Sequence, residues 1–158
     1  MKKIIFLAVL SSLVGCGAEE TTLAGVNLDT NVTITVSDAS GKNLLNTASY
    51  SASGIKIFYK LKDVLVEQNN PNLDNPKMFF INTSKDKMML GLNHDKGETN
   101  PETTIKWNDA ETDIIKASIR RENENGSSST ICDKVWLNNV LVWELGNSTN
   151  TRSVNIVK

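Results

Sequence analysis

Cys132-Asp133-Lys134-Val135-Trp136-Leu137-Asn138-Asn139-Val140-Leu141-Val142-Trp143-Glu144-Leu145 is the stretch that decides how this chain is read. Two apolar-rich runs flank an Asn-Asn pair. Asparagine tolerates positive φ, so the pair suits a two-residue primed turn and the stretch reads as a β-hairpin. Direct pairing across that turn sets Leu137 beside Val140 and Val135 beside Val142 on one face. Trp136, Leu141 and Trp143 share the other. With both faces apolar, the hairpin is expected near the middle of a sheet, or with one face against a partner.

Upstream, the same period-2 signal recurs. Val32-Thr33-Ile34-Thr35-Val36 alternates apolar with Thr, and Asp38 to Lys42 ends it as a turn. Residues 43–53 are rich in Asn, Ser and Ala and read as a loop or a short helical turn. After Gly54, Ile55, Ile57, Tyr59 and Leu61 fall on one face. Lys62-Asp63 turns that strand into Val64-Leu65-Val66. Asn69 to Pro76, with two prolines, is a loop that no sheet can cross. Met78–Thr83 and Met88–Leu92 form a second hairpin around Ser84 to Lys87. Asn93 to Pro101 is polar and holds the only histidine, His94. Thr103–Trp107 alternates, and so does Ile114–Arg121, with Ile115, Ala117 and Ile119 on one face. Asn123 to Ser129 reads as a flexible low-complexity link. Ser153–Val157 is expected as a final edge strand.

Eight or nine short strands at hairpin spacing, with no convincing helix after residue 15, predict an all-β fold. The expectation is an antiparallel two-layer sandwich, immunoglobulin-like in broad architecture, spanning residues 31–158. A closed barrel is the alternative. There is no Cys-Trp-Cys framework of a true immunoglobulin domain. The strands are too short and interrupted for an outer-membrane barrel with ~10-residue strands.

The N-terminus gives an address. Lys2-Lys3 is a cationic start, and Ile4 to Val14 is apolar except for Ser11 and Ser12, too short for the ~20 residues of a membrane span. Leu13-Val14-Gly15-Cys16 resembles a lipobox, which implies a signal peptide over 1–15 and lipid on Cys16. Small Gly15 admits a peptidase, and the Cys16 sulfur is the nucleophile that takes the lipid. Each acyl CH₂ buried contributes ~0.8 kcal/mol, so several chains anchor durably. Residues 16–30 are small, polar and acidic and read as a tether. Gly17 after the cysteine resembles the pattern for delivery to the bacterial outer membrane. Glu19-Glu20 resembles a surface-export signal, or is a solvated acidic linker.

Composition narrows the rest. Lys2 and Lys3 leave with the signal, so 15 basic side chains remain of 17, against 18 acidic ones, a formal charge of −3. With no basic block, nucleic acid is not an expected partner. With Cys16 lipidated, Cys132 is left alone, no internal disulfide can form, and Cys132 is expected in the core.

Chemistry is sparse. His94 and Cys132 are too few soft ligands for zinc, and a nucleophile–base pair between them would join a core strand to a loop. Asp109, Glu111 and Asp113 lack the glycine and closing Glu of a calcium loop and read as an acidic turn. No catalytic residue, metal site or cofactor is expected. Trp136, Leu141 and Trp143 are the candidate binding face for a protein or glycan partner, or are covered by the opposite layer. A hydrolase is the weaker alternative.

Across most of the processed chain, the sequence is similar to a group of small Bacteroidota lipoproteins. The resemblance rests on Val32 to Asn46, Ile55 to Tyr59, Asp113 to Ala117 and Ile131 to Trp136. These are strand and turn motifs, so the resemblance implies a membrane-anchored β-domain and transfers no activity.

Overall fold

A computed structural model describes residues 25–124, 126–146 and 151–158. The expected signal peptide, Cys16 and residues 16–24 of the expected tether lie outside the described residues. The strands in chain order are β1 (Val26–Asp29), β2 (Asn31–Ser37), β3 (Lys56–Leu61), β4 (Val64–Glu67), β5 (Phe79–Asn82), β6 (Lys87–Gly91), β7 (Glu102–Lys106), β8 (Thr112–Glu124), β9 (Ser127–Leu137), β10 (Val140–Glu144) and β11 (Ser153–Val157). Ala48–Tyr50 is a single 3-10 turn, and there is no α-helix among the described residues.

Two open sheets result. The larger runs β1-β9-β8-β7-β3-β4, with β10 also on β9; the smaller runs β11-β2-β6-β5. Alternation explains their packing. In the smaller sheet, Val32, Ile34, Val36, Met88, Leu90, Val154 and Ile156 turn inward; in the larger, Ile57, Tyr59, Ile105, Ile115, Ala117, Ile119, Cys132 and Val135 do. Register aligns the inward rows, as Ile57 faces Ile105 and Ala117 faces Val135. Trp107, fully buried, packs its ring 5.9 Å from that of Tyr50. The turn signals hold. Lys62-Asp63 and Asn138-Asn139 all have positive φ, as primed hairpin turns require.

The structure departs from the sequence expectations at several places. First, the sheets are mixed: β1 runs parallel to β9, and β11 runs parallel to β2. Second, the domain starts before residue 31. Val26–Asp29, expected as tether, is a strand, although all four of its residues are exposed. Backbone pairing with β9 and the Asp29–Arg152 contact hold such a strand, and apolar patterning cannot reveal it. Third, the described residues of the expected link Asn123–Ser129 belong to the paired strands β8 and β9, which are in register as far as Glu124 and Ser127; residue 125 lies outside the described residues. Fourth, the Asn-Asn hairpin carries a bulge at Val142, so Trp143 pairs with Val135. A bulge flips every later side chain to the other face. The indole is thereby turned into the core, where burying ~150–250 Å² of ring surface outweighs what Val142 could contribute.

The hairpin is also not central throughout. β9 lies inside the sheet. β10 and β1 lie end to end along its outer side, β1 against Ser128–Ile131 and β10 against Lys134–Leu137.

Candidate functional site

The face predicted from Trp136, Leu141 and Trp143 is divided by that bulge. Leu141 is exposed and pairs with half-buried Trp136, whereas Trp143 is 5% exposed on the opposite side. The Arg152 guanidinium stacks over the Trp143 ring at 4.7 Å. Arg152 grips the chain on three further sides. It pairs with Asp29 at 2.9 and 3.1 Å, and donates to the carbonyls of Asn31 at 2.7 Å and Cys132 at 3.0 Å. A planar fork fits these diverging acceptors; an ammonium would not. Those hydrogen bonds hold the Asp29 carboxyl below its ordinary range. Trp143 is therefore a structural residue, and the predicted face keeps only Trp136 and Leu141.

Asp109, Glu111 and Asp113, expected together in one acidic turn, do not converge: Asp113 lies in β8. Asp109 pairs with Lys106 at 2.9 Å, and Glu111 accepts from the Tyr50 hydroxyl. Burial and that bond push the Tyr50 phenol up to about 12. Asp113, buried, accepts from Trp107 Nε1 at 2.6 Å and Asn138 Nδ2 at 2.8 Å, and pairs with Lys158 at 2.7 Å. Burial opposes its charge, but the bonds from Lys158, Asn138 and Trp107 outweigh it and hold the carboxyl below its usual range. No group of three metal-ligating side chains occurs among the described residues.

Cys132 and His94 have separate surroundings. The Cys132 thiol is fully buried and donates to the Lys134 carbonyl, and burial raises it to about 11. The His94 ring bonds the Leu92 carbonyl through Nδ1 at 3.0 Å. Its loop is pinned by buried Asn93, which donates to the carbonyls of Lys60 and Glu102. A thiol so hard to ionise is a poor nucleophile.

The two outer faces differ in charge chemistry. On the larger sheet, Lys56–Glu67, Lys60–Glu102, Lys116–Glu102, Arg120–Asp133 and Lys134–Glu144 form cross-strand ion pairs. The face satisfies itself. On the smaller sheet, the row Ser153–Thr33–Met89–Phe80 crosses all four strands. Met89 and Phe80 are 40% and 42% exposed. Three shallow depressions share Phe80 as a wall. One of about 300 Å³ reaches Asn31, Asp74 and Asn75; one of about 260 Å³ reaches Asn82, Lys85, Lys87 and Thr151; a third of about 480 Å³ lies toward Asn69 and Pro76. The run Met78-Phe79-Phe80-Ile81 hides this in the sequence. It is continuously apolar, and only pairing shows that Phe79 turns in and Phe80 out.

No protein-family model, curated protein or solved structure matches this chain.

Proposed function

We propose that this chain is a lipid-anchored, non-catalytic binding module of the bacterial outer membrane or cell surface. The observation that carries the reading is Leu13-Val14-Gly15-Cys16 at the end of a short apolar run. The position of β1 agrees with it. Only nine residues separate Cys16 from Val26, where β1 begins, a reach of at most ~35 Å when fully extended. An acyl group on Cys16 would hold the sandwich against the membrane surface. The non-catalytic part of the reading is supported by where the reactive side chains are spent. Asp113, Glu111 and Cys132 are each engaged in contacts within the fold.

Metabolic labelling with palmitate tests the anchor. The natural chain should incorporate label and fractionate with the outer membrane, with residues 1–15 removed by intact mass. Cys16→Ala should take up no label and leave that fraction. Labelling of Cys16→Ala, or an intact unmodified N-terminus in the natural chain, would overturn the reading.

A further inference from the structure

We propose that the outer face of the smaller sheet binds an acidic saccharide chain. Phe80 and Met89 carry the sugar ring faces, and Lys85 and Lys87 receive the carboxylates. This deepens the binding-module reading and places the site opposite to the tryptophan face expected from sequence.

Three observations carry it. The first is the pairing of surfaces. Phe80 and Met89 lie side by side in register and exposed, forming a flat apolar platform between two depressions. The C–H face of a pyranose ring packs on such a surface, and planar amides such as Asn31, Asn75 and Asn82 can both donate to and accept from ring hydroxyls. The grooves are shallow and open. They suit a chain passing through better than a small molecule that must be mostly enclosed.

The second is charge. Lys85 and Lys87 line one depression and make no ion pair among the described residues, whereas five lysines and arginines on the opposite face are paired across strands. An anionic ligand complements the unpaired end.

The third is preorganisation. The wall beside Phe80 is the loop from Asn69 to Met78. Lys77 fixes it by donating to the carbonyls of Ala52, Ser53 and Ile55 at 3.0, 2.9 and 3.2 Å. Met78 closes it at φ 62°, the one apolar residue with positive φ among the described residues. Its carbonyl accepts from Gly91 N–H at 2.8 Å. That conformation costs an L-residue roughly 1–2 kcal/mol and persists only where the surroundings enforce it. A wall held this way loses little freedom when a ligand arrives.

Isothermal titration calorimetry on the purified full chain decides the matter, and does so whether or not Cys16 is acylated. The probes are oligogalacturonate, a neutral laminari-oligosaccharide of equal length, and poly-L-glutamate. Oligogalacturonate should bind, and the other two should bind at least ten-fold more weakly. Phe80→Ala and Lys85→Ala/Lys87→Ala should each weaken oligogalacturonate at least ten-fold, and only the double lysine variant should flatten the salt dependence. Met89→Thr provides a second, milder change to the platform, and Trp136→Ala on the far face should bind as the natural chain does. No binding of oligogalacturonate, or unchanged binding by both Phe80→Ala and Met89→Thr, would overturn the proposal. So would equal binding of the neutral sugar, which removes the lysines' role, or of poly-L-glutamate, which reduces the site to charge.

Discussion

Replacing Arg152 by Ala should loosen both ends of the chain at once. The side chain is 9% exposed and touches β1 through Asp29, the start of β2 through the Asn31 carbonyl, β9 through the Cys132 carbonyl and β10 through the Trp143 ring. Removing it leaves two carbonyls without their donors, each worth roughly 1–3 kcal/mol if water cannot reach it. It also removes a desolvated cation–π contact of about 1–2 kcal/mol. Asp29 is 54% exposed and rehydrates, so its loss adds little. The total is about 3–8 kcal/mol, or roughly 10–30 °C in Tm for a domain this size. Arg152→Lys keeps the charge without the fork and should recover less than half. Urea unfolding gives the stability change, with an unchanged m-value if the native state is otherwise intact. Hydrogen exchange gives the location: the amides of β1 and of Trp143 and Glu144 should lose protection together. A shift below about 0.5 kcal/mol, or lost protection confined to β11, would refute the reasoning.

Two further outcomes concern the buried polar groups. Asp113→Asn should cost about 2–4 kcal/mol at neutral pH, because it strips the charge that Lys158 meets at 2.7 Å. The Asp113 carboxyl titrates below its ordinary value in the folded chain, so its contribution is complete above the unfolded value of about 3.9 and fades as pH falls through the folded one. Urea titrations from pH 7 to 2 should therefore fall less steeply below pH 4 for the variant, and parallel curves would contradict the assignment. Cys132→Ser should cost on the order of 1–3 kcal/mol by burying a poorly paired hydroxyl. In a Cys16→Ala background, the one remaining thiol should resist an aromatic disulfide reagent at pH 8 until urea is added. Prompt labelling of the native protein would mean the sulfur is reachable.

Where side chains decide an element, the sequence was legible. Alternation located β2, β3, β7, β8 and β11, and the Asn-Asn and Lys-Asp pairs located two turns, because these signals come from core contact and allowed φ. Where backbone pairing decides, it was not. β1 buries none of its four residues, and the ends of β8 and β9 that pair Glu124 with Ser127 are polar, so neither leaves an apolar trace. The bulge at Val142 is a non-local choice, set by where the Trp143 ring finds cover, and it undid the tryptophan face. Phe80 was invisible for the opposite reason: its neighbours are equally apolar, so the run has no period to read. The single buried cysteine was readable from counts alone, whereas Asp113, expected in an acidic turn, is buried in β8 by partners from Trp107, Asn138 and Lys158 that spacing does not show.

The parallel seat of β1 on β9 has a mechanical meaning. Any tug on the chain upstream of Gly25 reaches Val26–Asp29 first, and must strip that short ribbon and open the Asp29–Arg152 clasp before it pulls on β2. The ribbon covers none of the core, so its detachment would leave both inner sheet faces closed. It acts as the strain relief on a cable does, taking jolts where the cord enters so that the joints inside stay still.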